Sequence, residues 1–125
     1  MSTGELTYIV TGGCGFIGAN LVAALQNQRP GCHVVVLDSM RTGTFANLVS
    51  ACERQGDAFE GQVIAQNIRD VYWPDFVEHF APSAVFHLGA ITDTTVDDES
   101  EMIEENAGET WPEIMHACAD HEIPL

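Results

Sequence analysis

The sequence predicts an α/β protein with a doubly wound parallel sheet, and three observations carry that expectation. Short apolar runs alternate with segments of helical periodicity along all 125 residues. The runs lack the in-out alternation of a half-exposed strand, so they read as strands buried on both faces, as in parallel sheets. The first run passes through a glycine cluster directly into the first helical pattern. The chain is long enough for one domain with a core.

Tyr8-Ile9-Val10 is the first strand, ending at Thr11. From Phe16 to Gln28, Ile17, Leu21 and Leu25 recur every four residues with Val22 beside them, which predicts a helix with those residues on its buried stripe. Arg29-Pro30-Gly31 stops it. Val34-Val35-Val36-Leu37 is the second strand, and Ser39 to Thr44 a polar loop. Phe45 to Arg54 forms a short helix ended by Gln55-Gly56-Asp57, and Gln62 to Gln66 a weaker third strand. Pro74 suits the first turn of a helix whose inner face is Phe76, Val77 and Phe80. Ala84 to Leu88 is the fourth strand, and Asp98 to Glu122 reads as one long helix. Pro112 inside that helix predicts a kink near Gly108, or two helical pieces meeting there, because an interior proline costs about 3 kcal/mol. The order β-α-β-α-β-α-β-α implies right-handed crossovers. Glu122-Ile123-Pro124-Leu125 resembles the lead-in to a fifth strand, so the sheet reads as truncated after about four, leaving the outer edge of the fourth unpaired.

Nineteen acidic residues face four arginines (Arg29, Arg41, Arg54, Arg69), there is no lysine, and the formal net charge is −15. Such a surface repels nucleic acid and anionic lipid, so neither is an expected partner. The eight acids between Asp93 and Glu109 read as a solvated helix face. No apolar run is long enough to span a membrane, and Met1 to Glu5 lacks the basic start of a signal peptide; the expected location is cytoplasmic. Cys14, Cys32, Cys52 and Cys118 show neither paired nor zinc-ligand spacing and are expected to be free structural thiols, with no metal site.

Thr11-Gly12-Gly13-Cys14-Gly15-Phe16-Ile17-Gly18 carries the chemistry. A diphosphate needs bare backbone amides and a helix N-terminus aimed at it, and a side chain in the turn blocks the approach. Gly12 and Gly13 make the tight turn, Gly15 lets the backbone near the phosphates, and Gly18 lets the helix lie close to the sheet. Alone such a glycine pattern is weak; between a strand and a helix of a β-α-β unit it is a Rossmann-type dinucleotide site. Asp38, twenty residues after Gly18 at the end of the second strand, is placed to accept hydrogen bonds from the adenosine ribose. Asp38 favours NAD by repelling a 2′-phosphate, whereas Arg41 is placed to bind one; Ser39 lies between them, and the choice of NAD or NADP stays open.

Ligands of open α/β sheets lie beyond the carboxyl ends of the strands. Asn67-Ile68 after strand three offers an amide for the adenine, against an Asx turn as the plain alternative. Leu88-Gly89-Ala90 after strand four lets the backbone pass close to the cofactor, and Thr94 and Thr95 are placed for substrate contact, against helix capping. His87 in the apolar fourth strand reads as a hydrogen-bonded core residue.

Together these segments resemble the extended short-chain dehydrogenase/reductase family, the NAD(P)-dependent nucleotide-sugar epimerases and dehydratases, over nearly the whole chain. Thr11-Gly12-x-x-Gly15-x-x-Gly18, Asn67-Ile68-Arg69-Asp70 and His87-Leu88-Gly89-Ala90 look like its motifs, with Asn67 where an aspartate is more usual, and Asn106 is similar to an asparagine of its following helix. Tyr8–Asn20, Asp38–Leu48 and His87–Thr95 are most similar to its heptose 6-epimerase subgroup, whose lysines near the 2′-phosphate this chain lacks and against which it carries extra residues between Val49 and Ala65. The resemblance implies transient hydride transfer at a sugar carbon, a nucleotide-sugar substrate, and a homodimer of the full-length parent. It also implies a Tyr-x-x-x-Lys catalytic pair that this chain does not contain, its tyrosines being Tyr8 and Tyr72. The chain is accordingly expected to be the front part of an enzyme, binding cofactor weakly and turning nothing over. The rival expectation is a standalone dinucleotide-binding module that senses redox state.

Overall fold

The computed structural model of the chain describes residues 6–41, 43–88 and 110–125, and the side chains of all of these except Thr110 and Trp111. Four strands, β1 (Thr7–Thr11), β2 (His33–Asp38), β3 (Gln62–Ala65) and β4 (Ala84–His87), form one parallel sheet in the order β3-β2-β1-β4. Its register sets Ile9 beside Val35 and Val85, and Val36 beside Val63. Helices α1 (Phe16–Gln28), α2 (Phe45–Arg54), α3 (Trp73–Phe80) and α4 (Thr110–Asp120) cover its two faces.

The strand period of two divides the core. Val10, Val34 and Val36 point to one face and pack with Ala19, Val22 and Ala23 of α1 and Leu48, Ala51 and Cys52 of α2. Ile9, Val35, Leu37 and Val85 point to the other and pack with Trp73 and Val77 of α3 and Ile114, Ala117 and Cys118 of α4. Trp73 is fully buried, and its indole N–H donates to the Ile68 carbonyl at 2.9 Å, so the largest core side chain leaves no polar atom unmet. β2 is buried on both faces, as its unbroken Val34–Leu37 run predicts.

Two expectations change, and a third falls outside the described residues. Ile17 does not face the core: it is 72% exposed, and the buried side of α1 is Gly18, Ala19, Val22 and Ala23, with Leu21 and Leu25 partly buried. Small residues there let the helix lie close to the sheet. The described helix carries Pro112 as its third residue; Gly108 and residues 98–109 of the expected longer helix lie outside the described residues, and with them the kink or junction expected there. The outer edge of β4 is not wholly unpaired either, because the Val85 N–H donates to the Pro124 carbonyl at 2.9 Å. The residues read as a lead-in to a fifth strand thus already run beside β4.

From β1 the chain winds outward through β2 to β3, then crosses back to place β4 on the other side of β1. The winding direction therefore reverses between β1 and β4, and the crevice at the carboxyl end of that pair is where open α/β sheets bind ligands.

Candidate functional site

The turn after β1 begins at Gly12, whose φ of 72° lies in the left-handed region that favours glycine, and its N–H donates to the Leu37 carbonyl at 2.8 Å. The Gly15 N–H closes back on the Gly12 carbonyl at 3.2 Å, and α1 starts immediately, its first internal bond running from Ala19 N–H to the Gly15 carbonyl at 2.9 Å. No side chain caps this start. The N–H groups of the first turn have no carbonyl four residues back within the helix, and the helix dipole adds positive potential there.

Two glycines of the turn have opposite surroundings. A Cβ on Gly18 would stand 2.0 Å from the Gly12 carbonyl oxygen and 2.9 Å from the Gly13 Cα, so helix and turn touch backbone to backbone. A Cβ on Gly15 would meet only the Gly12 oxygen, at an ordinary 3.5 Å. The space over Gly15 is an open cradle that a side chain would fill, and it fits a diphosphate lying on the turn. Phe16 and Ile17, the next two residues, are 78% and 72% exposed.

Asp38 ends β2 beside this cradle and is almost fully buried. Its Oδ2 accepts from the Cys14 N–H at 2.9 Å and its Oδ1 from the Met40 N–H at 2.8 Å. An ionised carboxylate has about four acceptor sites, so two backbone bonds leave room for ribose hydroxyls. The bond to Cys14 places the Asp38 carboxylate beside the glycine turn. Ser39 and Arg41 follow on the exposed surface, with the Arg41 N–H donating to Ser39 Oγ at 3.3 Å.

At the end of β4, the Thr11 hydroxyl oxygen accepts from the Leu88 N–H at 2.8 Å and lies 2.8 Å from His87 Nδ1. Since the hydroxyl accepts from Leu88, its own proton is available to Nδ1, which suits a neutral imidazole. Burial holds His87 below its ordinary value of 6.5. The unfolded chain then takes up a proton at higher pH than the folded one, so stability present above 6.5 is lost as the pH falls below it. His87→Asn keeps an acceptor near the Nδ1 position without titrating. Urea unfolding of this variant should show a shallower loss of stability between about pH 7 and pH 5 than the unaltered chain; parallel losses would remove His87 from the account.

After β3, Asn67 Oδ1 accepts from the Arg69 N–H at 3.1 Å and caps the 3₁₀ turn Ile68–Asp70, the plainer of its two expected roles. The Ile68 side chain is turned into the core, so a contact of this residue with a ligand runs through its backbone. Leu88, the residue after β4, is exposed. Gly89, Ala90, Thr94, Thr95 and Asn106 lie outside the described residues. Burial raises all four thiols; for Cys14 burial first and then the Asp38 carboxylate push it up to about 11. Cys14 is therefore a neutral thiol at the turn, adding no negative charge where a diphosphate would lie. Among the described residues no cluster of ligating side chains suited to a metal occurs.

The turn is also gripped by Thr44 and Asn47, which donate to the Cys14 carbonyl from the backbone at 3.1 Å and the side chain at 3.0 Å. Sequence reasoning missed both, and it missed the tie between Thr11 and His87. Thr44 gave a local signal as the N-cap of α2, where its hydroxyl accepts from the Asn47 N–H at 3.2 Å.

The family model for the NAD dependent epimerase/dehydratase family matches residues 8–124. The fold is similar to ADP-L-glycero-D-manno-heptose-6-epimerase of Helicobacter pylori, with a TM-score of 0.78 and 28% identity, covering 95% of this chain and 37% of that one. It is similar to UDP-glucose 4-epimerase from Brucella ovis, solved in complex with NAD, at a TM-score of 0.72 and 26% identity, covering 94% of this chain and 33% of that one. UDP-N-acetylglucosamine 4-epimerase from Methanobrevibacter ruminantium M1 gives a TM-score of 0.75 at 23% identity, covering 95% and 36%, and at that identity shows the shared fold alone. The chain spans about a third of the length of these solved relatives.

Proposed function

Because this chain belongs to the NAD dependent epimerase/dehydratase family, we propose that it is the cofactor-binding front part of a nucleotide-sugar epimerase or dehydratase and that its ligand is NAD or NADP. The observation that carries the reading is the 2.9 Å bond from the Cys14 N–H to Asp38 Oδ2, which holds the glycine turn after β1 and the acid ending β2 together, next to the β1–β4 reversal of the sheet. In this reading the amides opening α1 bind the diphosphate, the cradle over Gly15 receives it, and the free lone pairs of Asp38 orient the ribose. Asp38 favours NAD, and Arg41 is the cation nearest in sequence for a 2′-phosphate. The nicotinamide, when bound, supplies transient hydride transfer at a sugar carbon. A base for that chemistry, the nucleotide-sugar site and the pairing of two copies belong to the whole enzyme under this proposal, since the chain has no lysine and a third of the length of its solved relatives. Among the described residues no helix is long and apolar enough to cross a membrane, and a cytoplasmic setting is part of the same proposal.

Asp38→Ala tests the reading. It removes charge-assisted bonds, each contributing about 1.5–3 kcal/mol, so NAD affinity should fall about 10- to 100-fold. NADP should lose less, because the repulsion of its 2′-phosphate is relieved at the same time. Calorimetric titration of both nucleotides checks this, and an equal loss for the two would take Asp38 out of the ribose site.

A further inference from the structure

Asn47 belongs to none of the groups that the cofactor reading uses, yet its side chain reaches the glycine turn. It is the third residue of α2, held there by its own N–H bond to the Thr44 hydroxyl. Its Nδ2 donates to the Cys14 carbonyl at 3.0 Å, and the Thr44 N–H donates to the same oxygen at 3.1 Å. On the other side of this residue the Cys14 N–H donates to Asp38 Oδ2 at 2.9 Å. The backbone of Gly43 presses on Cys14 as well, since a Cβ there would stand 2.7 Å from the Cys14 carbonyl carbon. One residue of the turn is thus gripped by four positions that run from the last residue of β2 to the first turn of α2.

We propose that Asn47 is a positioning residue for the diphosphate turn, fixing the Cys14–Gly15 peptide and through it the direction of the amides that open α1; the inference rests on the cofactor reading above. The physical need is specific. The turn contains Gly12, Gly13 and Gly15, residues with wide backbone freedom, and α1 begins without a side-chain cap. A turn left loose must be ordered when the ligand arrives, and that ordering reduces affinity. Asn47 orders it beforehand. Its loss does not orphan the Cys14 carbonyl, because the Thr44 N–H remains bonded to it, so the expected defect is in the turn rather than in the fold.

The test compares ligands that reach the turn with one that does not. ADP and NAD carry a diphosphate; adenosine ends at the ribose. In titrations of the 125-residue chain followed by calorimetry and by amide NMR shifts, Asn47→Ala should weaken ADP and NAD in equal proportion, by about 3- to 10-fold, the scale of one hydrogen bond. Adenosine should bind as before. Asn47→Asp has the same shape, lacks the donor and puts a negative charge at the turn, so it should lose more. In the ligand-free Asn47→Ala chain the Cys14 and Gly15 amide signals should move while the melting temperature stays close to that of the unaltered chain. Undiminished ADP affinity, or an equal loss for adenosine, would overturn the inference, and the Ala variant decides the matter even if the Asp variant fails to fold. Failure of the unaltered chain to bind ADP at all would instead remove the cofactor reading, and this inference with it.

Discussion

Gly15→Val is expected to abolish dinucleotide binding while leaving the chain folded. Gly15 has φ −77° and ψ 174°, extended backbone open to any residue, and a Cβ there meets nothing nearer than the Gly12 oxygen at 3.5 Å. The fold should lose only about 1 kcal/mol, since valine is a poorer N-cap residue than glycine. The ligand loses far more. The new methyl groups occupy the cradle and hold a diphosphate away from the first-turn amides, forfeiting at least two charge-assisted bonds of about 1.5 kcal/mol each. That corresponds to an affinity loss of about 100-fold or more. Circular dichroism melting and NAD titration on the same sample separate the two effects. Undiminished NAD binding would place the diphosphate elsewhere, and a collapse of the fold would mean the space over Gly15 is not open.

Gly18→Ala, three residues along, should do the opposite and damage the fold first. Helix propensity alone favours alanine by about 1 kcal/mol. The contact geometry opposes it: a Cβ at 2.0 Å from a carbonyl oxygen and 2.8 Å from its carbon overlaps backbone atoms that have no rotamer to retreat into. Relief requires α1 to move off the turn, opening the layer of Ala19, Val22 and Ala23 against Val10 and Val36. Overpacking of this kind costs about 3 kcal/mol, occasionally more, and so outweighs the propensity gain. The melting temperature should fall by on the order of 10 °C, and cofactor affinity with it. A Gly18→Ala chain as stable as the unaltered one would contradict the close approach of α1 to the turn. The contrast between neighbouring glycines is itself informative, because a generally fragile turn would respond alike at both.

Much of the architecture was legible because its causes are local. Val34–Leu37 is an unbroken β-branched and apolar run, and such a run becomes a strand covered on both faces. Arg29-Pro30-Gly31 cannot continue a helix, and α1 stops at Gln28. The placement of the glycine turn between β1 and α1 and of Asp38 at the end of β2 was legible because the glycines and the carboxylate about twenty residues on sit at a spacing fixed by the β-α-β unit. What sequence reasoning missed depends on contacts between distant residues or on a competing demand. Ile17 continues a four-residue apolar repeat yet stands in solvent, because α1 packs so tightly that its inner face takes small residues, which hydrophobic periodicity weighs lightly. The bonds from Cys14 to Asp38, Thr44 and Asn47, and from Thr11 to His87 and Leu88, join residues 24 to 77 positions apart. No spacing rule reaches across such distances; only the parallel register brings those strand ends together.

The central claim is that the carboxyl edge of the sheet binds a dinucleotide through the turn at Gly12–Gly18 after β1, beside the β1–β4 crevice, and through Asp38 at the end of β2. An amide-resolved NMR titration of the unaltered chain with NAD tests it most directly. The account predicts that the largest shifts fall on residues 12–18 and 38–41, saturate with one dissociation constant, and vanish in Gly15→Val. Shifts centred on the exposed faces of α2 or α3, or no shifts at NAD concentrations that saturate a weak site, would contradict it.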